Sequence, residues 1–247
     1  MNSNLKASEF SPQVYARIGG LLYLLIIMAG MFAEVFVRNK LFVSGDATAT
    51  ANNIINSPFL WRIGISADLI MQICDLPVML ILYLLLKPVN KNIALLNLLF
   101  NMIQTAVLVA NKLNLLNALF LLGDAEYLKT LDPNQLHSLS YLSIKLHEFG
   151  FGIGLIFFGI VCLLEGYLIY KSGYFPKTIG LLMQIAGVCY LTNSFALILF
   201  PKLAKNLFPI ILIPPLIAEL SLCLWMIFKG VNLSVWDKKI QSGRVNN

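Results

Sequence analysis

Acidic side chains inside apolar stretches are the residues of this sequence best suited to do chemistry. Asp68 and Asp75 stand seven residues apart, which places them two turns apart on one face of a helix, and Glu219 lies in a separate apolar stretch. An ionisable group at bilayer depth costs about 2.5 to 3.5 kcal/mol on insertion scales, so it usually faces a bundle interior or a cavity. Asp75 and Glu219 are therefore predicted to bind a proton or another cation near the middle of a membrane.

Amide side chains form a second pattern. At 100° per residue, four of them fall within about 80° of one another and draw a polar stripe along one helix: Asn97, Asn101, Gln104 and Asn111. Amides in such a stripe either line a cavity or join neighbouring helices by hydrogen bonds, and the sequence leaves both interpretations open. In another stretch, Glu34 and Arg38 have the i, i+4 spacing of an ion pair.

His147 and Glu148 most resemble a catalytic pair, because histidine titrates near neutral pH and a carboxylate can orient it. An intramembrane enzyme acting on a lipid-like substrate is the alternative function that this pair supports. A zinc site generally needs three or four ligands, and His137 is the only further histidine of the chain. The sequence therefore predicts neither a metal site nor a cofactor.

The composition indicates what must position these residues. Of the 247 residues, 58% are hydrophobic and only 12% are charged, with a mean hydropathy of +0.79, whereas soluble domains carry about 25% charged residues. This excludes a water-soluble globule and makes the lipid bilayer the expected surrounding. The formal net charge is +6, yet no run of Lys and Arg is longer than the pair Lys238 and Lys239, so nucleic acid is not a predicted partner.

Six apolar stretches are long enough for transmembrane helices, each of which needs about 20 residues. They predict an all-α protein with one membrane domain over residues 1–247, in which six transmembrane helices form one bundle. The stretches cover residues 18–37, 63–86, 93–121, 138–170, 177–200 and 207–228. Asp132 and Pro133 have the residue types of a helix start, so the fourth helix is expected to begin in water. Pro214 and Pro215 are expected to interrupt the sixth helix.

The distribution of Lys and Arg predicts the orientation, because cytoplasmic loops carry an excess of these residues. The face with both termini and the two short connections collects ten of them, Lys6 and Arg244 included, against six on the opposite face. Both termini are therefore predicted to be cytoplasmic.

With this topology, most polar groups fall in the half of the bundle that is remote from the termini. The simplest arrangement that hides them from lipid is a polar cavity that opens outward and binds or passes a small polar or cationic solute. A structural or accessory protein, whose polar residues serve packing alone, is a further alternative, and the oligomeric state is left open. The residues predicted to line the cavity are Glu34, Asp68, Asp75, Gln104, Asn111, His147, Glu148 and Glu219.

Several stretches together resemble a bacterial membrane family catalogued as domain of unknown function 4386. They are residues 15–24, 45–49, 87–90, 147–150, 157–159, 166–168, 171–174 and 217–220, with Asp68-Leu69 and Cys74-Asp75. The resemblance covers the chain from about residue 10 to residue 230 and implies a multi-pass protein of the bacterial inner membrane. It implies no activity and transfers no site residue.

Overall fold

The computed structural model describes the backbone of residues 11–245 and the side chains of residues 11–241, so Lys6 and the side chain of Arg244 lie outside it. Within that part of the chain, six helices are long and apolar enough to cross a membrane. These spans, numbered first to sixth, are Pro12–Leu41, Pro58–Leu86, Lys91–Phe120, Pro133–Ser172, Lys177–Leu199 and Ile210–Phe228. The sixth consists of the turn Ile210–Leu212 and the α-helix Ile213–Phe228. The prediction of an all-α, six-span membrane bundle is confirmed.

The first, second and fourth spans extend beyond the predicted apolar stretches because proline and polar residues begin them. Pro12, Pro58 and Pro133 each stand in the first turn of a span, where the missing amide hydrogen costs no hydrogen bond. Asp132 caps the fourth span, and Gln135 completes a capping box. That helix runs for 40 residues, about 60 Å at 1.5 Å per residue, so it exceeds a hydrocarbon core of about 30 Å.

The sixth span differs from its prediction. Pro214 and Pro215 do not interrupt a helix; they stand in the first turn of Ile213–Phe228, where proline is tolerated. The preceding residues form a separate short helix, Pro201–Leu207, and the turn Ile210–Leu212. The sixth span begins at Ile210, three residues after the expected start, and its α-helix begins at Ile213.

Each span packs against the next one along the chain, and the sixth also packs against the first, so the six spans form a closed ring. One end of the ring, called the terminal end below, carries residue 12, the connections 87–90 and 173–176, and residue 229. The opposite end, called the long-loop end, carries residues 42–57, 121–132 and 200–212. Tyr174 fastens the terminal end, because its buried hydroxyl donates to the carbonyl oxygen of Leu85 at 2.6 Å.

Glycine allows the fourth and fifth spans to approach closely. A Cβ atom placed on Gly166 would lie 2.5 Å from the carbonyl oxygen of Gly180, and one on Gly180 would lie 2.7 Å from that of Gly166. Both contacts are with backbone, which cannot move aside as a side chain can. This crossing holds the two spans in one register and fixes the face that the fourth span turns toward the ring interior.

Two further helices lie outside the ring. Ala47–Asn56 connects the first two spans at the long-loop end and packs on the projecting part of the fourth span. Asp46 caps it, accepting a hydrogen bond from Ala49 N at 2.8 Å. At the terminal end, Leu233–Val245 follows the sixth span and is held where Lys239 Nζ donates to the carbonyl oxygen of Lys171 at 2.8 Å.

Candidate functional site

The polar residues of the bundle form two separate groups. An open apolar groove with a volume of about 460 Å³ lies between the fourth and fifth spans of the described bundle. None of the eight predicted residues lines it. A recess beside Arg38 is too small to admit a water molecule. Neither hollow is the predicted outward-opening cavity, which stays a prediction; in the two groups described below, polar side chains contact one another across the helices.

Four charged residues form the first group, called the ionic cluster below. Arg38 Nη1 lies 2.6 Å from Asp68 Oδ2, and Lys112 Nζ lies 3.0 Å from the same oxygen. Arg38 Nε also lies 2.6 Å from Glu34 Oε2, which confirms the predicted i, i+4 pair. The Asp68 and Lys112 side chains are 1% and 3% exposed, whereas that of Glu34 is 48% exposed. Two negative and two positive charges balance each other here.

The backbone of the first span changes where this cluster forms. Phe32–Arg38 is a π-helix, and the amide of Asn39 bonds to the carbonyl oxygen of Glu34, five residues back. Segments of this type are rare and frequently occur at functional sites. Here the segment carries both Glu34 and Arg38, and Arg38 reaches Asp68 on the second span while it keeps its contact with Glu34. Nothing in the sequence pattern predicted this change of helix type.

His147 and Glu148 have different partners in the structure. His147 is buried against the third span, with Nδ1 2.9 Å from Asn111 Nδ2, and the same amide nitrogen donates to the carbonyl oxygen of His147 at 2.9 Å. Glu148 is half exposed and lies 2.5 Å from Lys145 Nζ. Because adjacent helical residues point about 100° apart, the two side chains project into different surroundings. Asn111 and His147 join helices, as one interpretation of the amide stripe expected.

Three carboxylic acids, one of them buried and two half-buried, form the second group, called the central acid cluster below. They are Asp75 on the second span, Glu165 on the fourth and Glu219 on the sixth. At 1.5 Å per residue they lie about 10 to 16 Å from the terminal end of their helices. The charges of Asp75 and Glu219 both act on Glu165, so the three groups influence one another. Asp75 and Glu219 were predicted to be functional, whereas Glu165 was overlooked although it too is an acid within an apolar stretch.

The partners of Asp75 come from the third span. Its carboxylate accepts a hydrogen bond from the Thr105 hydroxyl and another from the Asn101 side chain. Gln104 Oε1 lies 3.5 Å from the Thr105 hydroxyl oxygen, so this predicted residue does stand beside the Asp75 carboxylate. The spacing of Asn101 and Thr105, one turn apart, lets both reach the same acid.

Glu219 is hydrogen-bonded to aromatic hydroxyls. Tyr190 on the fifth span and Tyr23 on the first both donate to its carboxylate. Asp75 and Glu219 each have local neutral donors. The charge of Asp75 also acts on Glu219.

The central acid cluster has no basic partner within the described residues, unlike the ionic cluster. Glu165 is 4% exposed, and its Oε1 atom has no hydrogen-bond donor. Three further buried oxygens nearby along the second and third spans also have no donor: Gln72 Oε1, Asn97 Oδ1 and Asn101 Oδ1. A buried acceptor without a donor is costly and rare in folded proteins. The interior is thus rich in oxygen acceptors and poor in donors.

Comparison with known proteins gives a family but no activity. Residues 18–230 match the family described as "Domain of unknown function (DUF4386)". A protein of Archaeoglobus fulgidus, described as "Uncharacterized protein", is 32% identical over 162 residues, which cover 66% of this chain and 80% of the relative. No solved structure matches the chain. The archaeal relative shows that likeness to this chain is not confined to bacteria.

Proposed function

Because the chain belongs to the family described as a domain of unknown function, DUF4386, we propose its function from its geometry: the protein binds a small cation at the central acid cluster and passes it across the membrane. Asp75, Glu165 and Glu219 are the groups that receive the cation, either a proton or a metal ion. The cluster lies within three different spans of a six-span membrane bundle. Ionisable groups at such depth mark ion pathways and proton relays in membrane proteins.

The Glu165 carboxylate is the observation that carries this proposal. It is almost completely buried, one oxygen has no donor, and its charged neighbours in the described bundle are two more acids. An isolated carboxylate in a low-dielectric interior takes up a proton or a cation rather than stay charged alone. Neighbouring acids strengthen this demand, because like charges disfavour one another.

The structural alternative explains the other polar group better than it explains this one. In the ionic cluster, Asp68 is neutralised by Arg38 and Lys112, as a purely stabilising network requires. The acids of the central cluster receive only hydroxyl and amide donors. Such donors stabilise a carboxylate without neutralising it, so the cluster keeps its affinity for positive charge.

Flux measurements in proteoliposomes test the proposal. The full chain is reconstituted in liposomes, and an inward proton gradient is followed with a trapped pH-sensitive dye or an inward Na⁺ gradient with a trapped Na⁺-sensitive dye. Asp75→Asn, Glu165→Gln and Glu219→Gln each preserve shape and remove the charge, and each is expected to reduce flux to the level of protein-free liposomes. Glu148→Gln is the matched control, because this acid is half exposed and paired with Lys145; its flux is expected to equal that of the unaltered protein. Equal flux in all four variants, or none in the unaltered protein, would contradict the proposal.

We also propose that the protein lies in the cell's inner membrane with both termini in the cytoplasm. Arg38 is one of the six basic residues counted for the face opposite the termini, and it is paired with Asp68 inside the bundle. Fewer basic residues are then left on that face, which strengthens the charge asymmetry that sets orientation. Impermeant labelling of a single lysine, Lys129 against Lys87, in intact cells tests it. Labelling of Lys87 in preference to Lys129 would contradict this orientation.

A further inference from the structure

Oxygen atoms without hydrogen-bond donors surround Asp75 on two neighbouring spans. Gln72 is 3% exposed and Asn101 is 5% exposed, and the side-chain oxygen of each has no donor. Gln104 Oε1 has only the long contact of 3.5 Å with the Thr105 hydroxyl. Each of these side chains is more than nine-tenths buried. These unsatisfied acceptor oxygens can bind a cation through their lone pairs, and hard metal ions are bound by oxygen ligands of this kind.

The positions of these residues along the helices allow them to share one ligand. Gln72 precedes Asp75 by three residues, about 4.5 Å along the second span. Asn101 and Thr105 both already contact the Asp75 carboxylate from the third span, and Gln104 is the neighbour of Thr105. The second and third spans pack directly against each other. Carboxylate, amide and hydroxyl oxygens from the two helices therefore meet on one side of Asp75.

Charge decides which class of ion fits. One carboxylate and four neutral oxygen ligands carry a single negative charge, which a monovalent cation neutralises. A divalent ion would leave an uncompensated positive charge in the interior, which is expensive. Transition metals such as zinc are held by several His, Cys or carboxylate ligands, and the described residues contain no cluster of three such groups able to hold a metal ion.

From this geometry we infer that Asp75, Gln72, Asn101, Gln104 and Thr105 form a binding site for a dehydrated monovalent metal ion of the sodium class. The inference rests on the proposed function and names the ion that it carries. Asn101 donates its amide to Asp75; a half-turn about its terminal torsion presents Oδ1 to an ion bound there, and this torsion is soft. The bound cation then replaces the Asn101 amide NH₂ group as the partner of the Asp75 carboxylate.

Thermal unfolding of the purified full chain tests the inference. Unfolding midpoints are measured at constant ionic strength while choline chloride is replaced by NaCl. For the unaltered protein, sodium at tenfold its Kd is expected to raise the midpoint by about 3 to 6 °C. Asp75→Asn is expected to remove this rise. Gln72→Met, which keeps the side-chain length and removes one oxygen, is expected to increase the half-saturating sodium concentration about tenfold.

A matched control is Ser194→Ala on the fifth span. Ser194 is completely buried and its hydroxyl also has no partner, yet it does not belong to the site, so its sodium response is expected to equal that of the unaltered protein. A full response in Asp75→Asn or Gln72→Met, a response to CaCl₂ equal to that to NaCl, or no response to sodium in the unaltered protein would each overturn the inference. If sodium has no effect while liposomes still show proton flux that depends on Glu165, the sodium site is wrong and the proposed function stands. If flux is also missing, both are wrong.

Discussion

Replacing Asp68 by asparagine tests the ionic cluster most directly, because this carboxylate contacts both Arg38 and Lys112. Arg38 keeps its contact with Glu34 at 2.6 Å, so the loss falls mainly on Lys112, whose side chain is 3% exposed. In the Asp68→Asn variant its ammonium group stays buried beside a neutral amide. Removing one member of a buried ion pair costs about 3 to 5 kcal/mol, and we expect Asp68→Asn to lower the free energy of unfolding by this amount.

A double-mutant cycle with Lys112→Met separates the pair from its surroundings. Lys112→Met removes the second cation while Asp68 keeps Arg38 at 2.6 Å, so this single change is expected to cost about 1 kcal/mol. In the double variant no buried ammonium remains, and the cost of Asp68→Asn is expected to shrink. The coupling energy is then about 2 to 3 kcal/mol. Unfolding is followed by circular dichroism in mixed micelles as the fraction of dodecyl sulfate rises.

The exposed pair Lys145 and Glu148 is the control for this cycle. Its side chains are 38% and 48% exposed, and water screens such pairs, so its coupling is expected to stay below about 1 kcal/mol. Costs that simply add in the Asp68 and Lys112 cycle would refute the reasoning, because they would mean that Lys112 is not held by the Asp68 charge.

Two further expectations concern the packing of the terminal end. Gly180→Ala places a Cβ atom 2.7 Å from the carbonyl oxygen of Gly166 and is expected to lower the free energy of unfolding by about 1 to 3 kcal/mol. Gly123→Ala serves as the mild control, because its added Cβ meets the nearest atom at 3.3 Å. Equal unfolding midpoints of the two variants would contradict the close crossing. Tyr174→Phe removes the 2.6 Å hydrogen bond to Leu85 and is expected to cost about 1 kcal/mol. Burial raises the pKa of Tyr174, which lies outside the spans, so its contribution to stability is present up to about pH 10 and is lost as the pH rises further. Unfolding of the unaltered protein and of Tyr174→Phe is measured across this pH range to check the sign. A difference in stability between them that grows above pH 10 would contradict the expectation.

Helix number and class could be predicted because they depend on apolar length, which the sequence displays directly. The helix starts were harder, because Pro12 and Pro58 lie outside the apolar stretches and continue the spans toward water. Proline has two meanings in such a sequence: it begins a helix or it breaks one. The choice at Pro214 depends on where residues 208–212 run, and that is set by tertiary contacts rather than by local pattern.

The site could be predicted in part for a similar reason. The pair of Glu34 and Arg38 is local to one helix, so its spacing alone was sufficient. The contact of Asp68 with Lys112 requires the relative rotation and depth of two helices, which residue periodicity does not specify. Glu165 could have been found, because it is an acid inside an apolar stretch. The predicted absence of a metal site considered His and Cys ligands, whereas the proposed sodium site uses amide and hydroxyl oxygens.

The contrast between the two clusters argues that the central acids do more than hold the bundle together. Asp68 and Asp75 are seven residues apart on the second span, and Lys112 and Thr105 are seven residues apart on the third. The same two helices therefore present a lysine to one acid and a hydroxyl to the other, at positions about 10 Å apart along the axis. If these residues served packing alone, a basic side chain in place of Thr105 would give the more stable protein. Each unpaired charge at membrane depth costs about 2.5 to 3.5 kcal/mol. In the part of the chain that the structure describes, these three acids have no basic partner, and bound protons or ions would neutralise them, which favours the proposed role in binding.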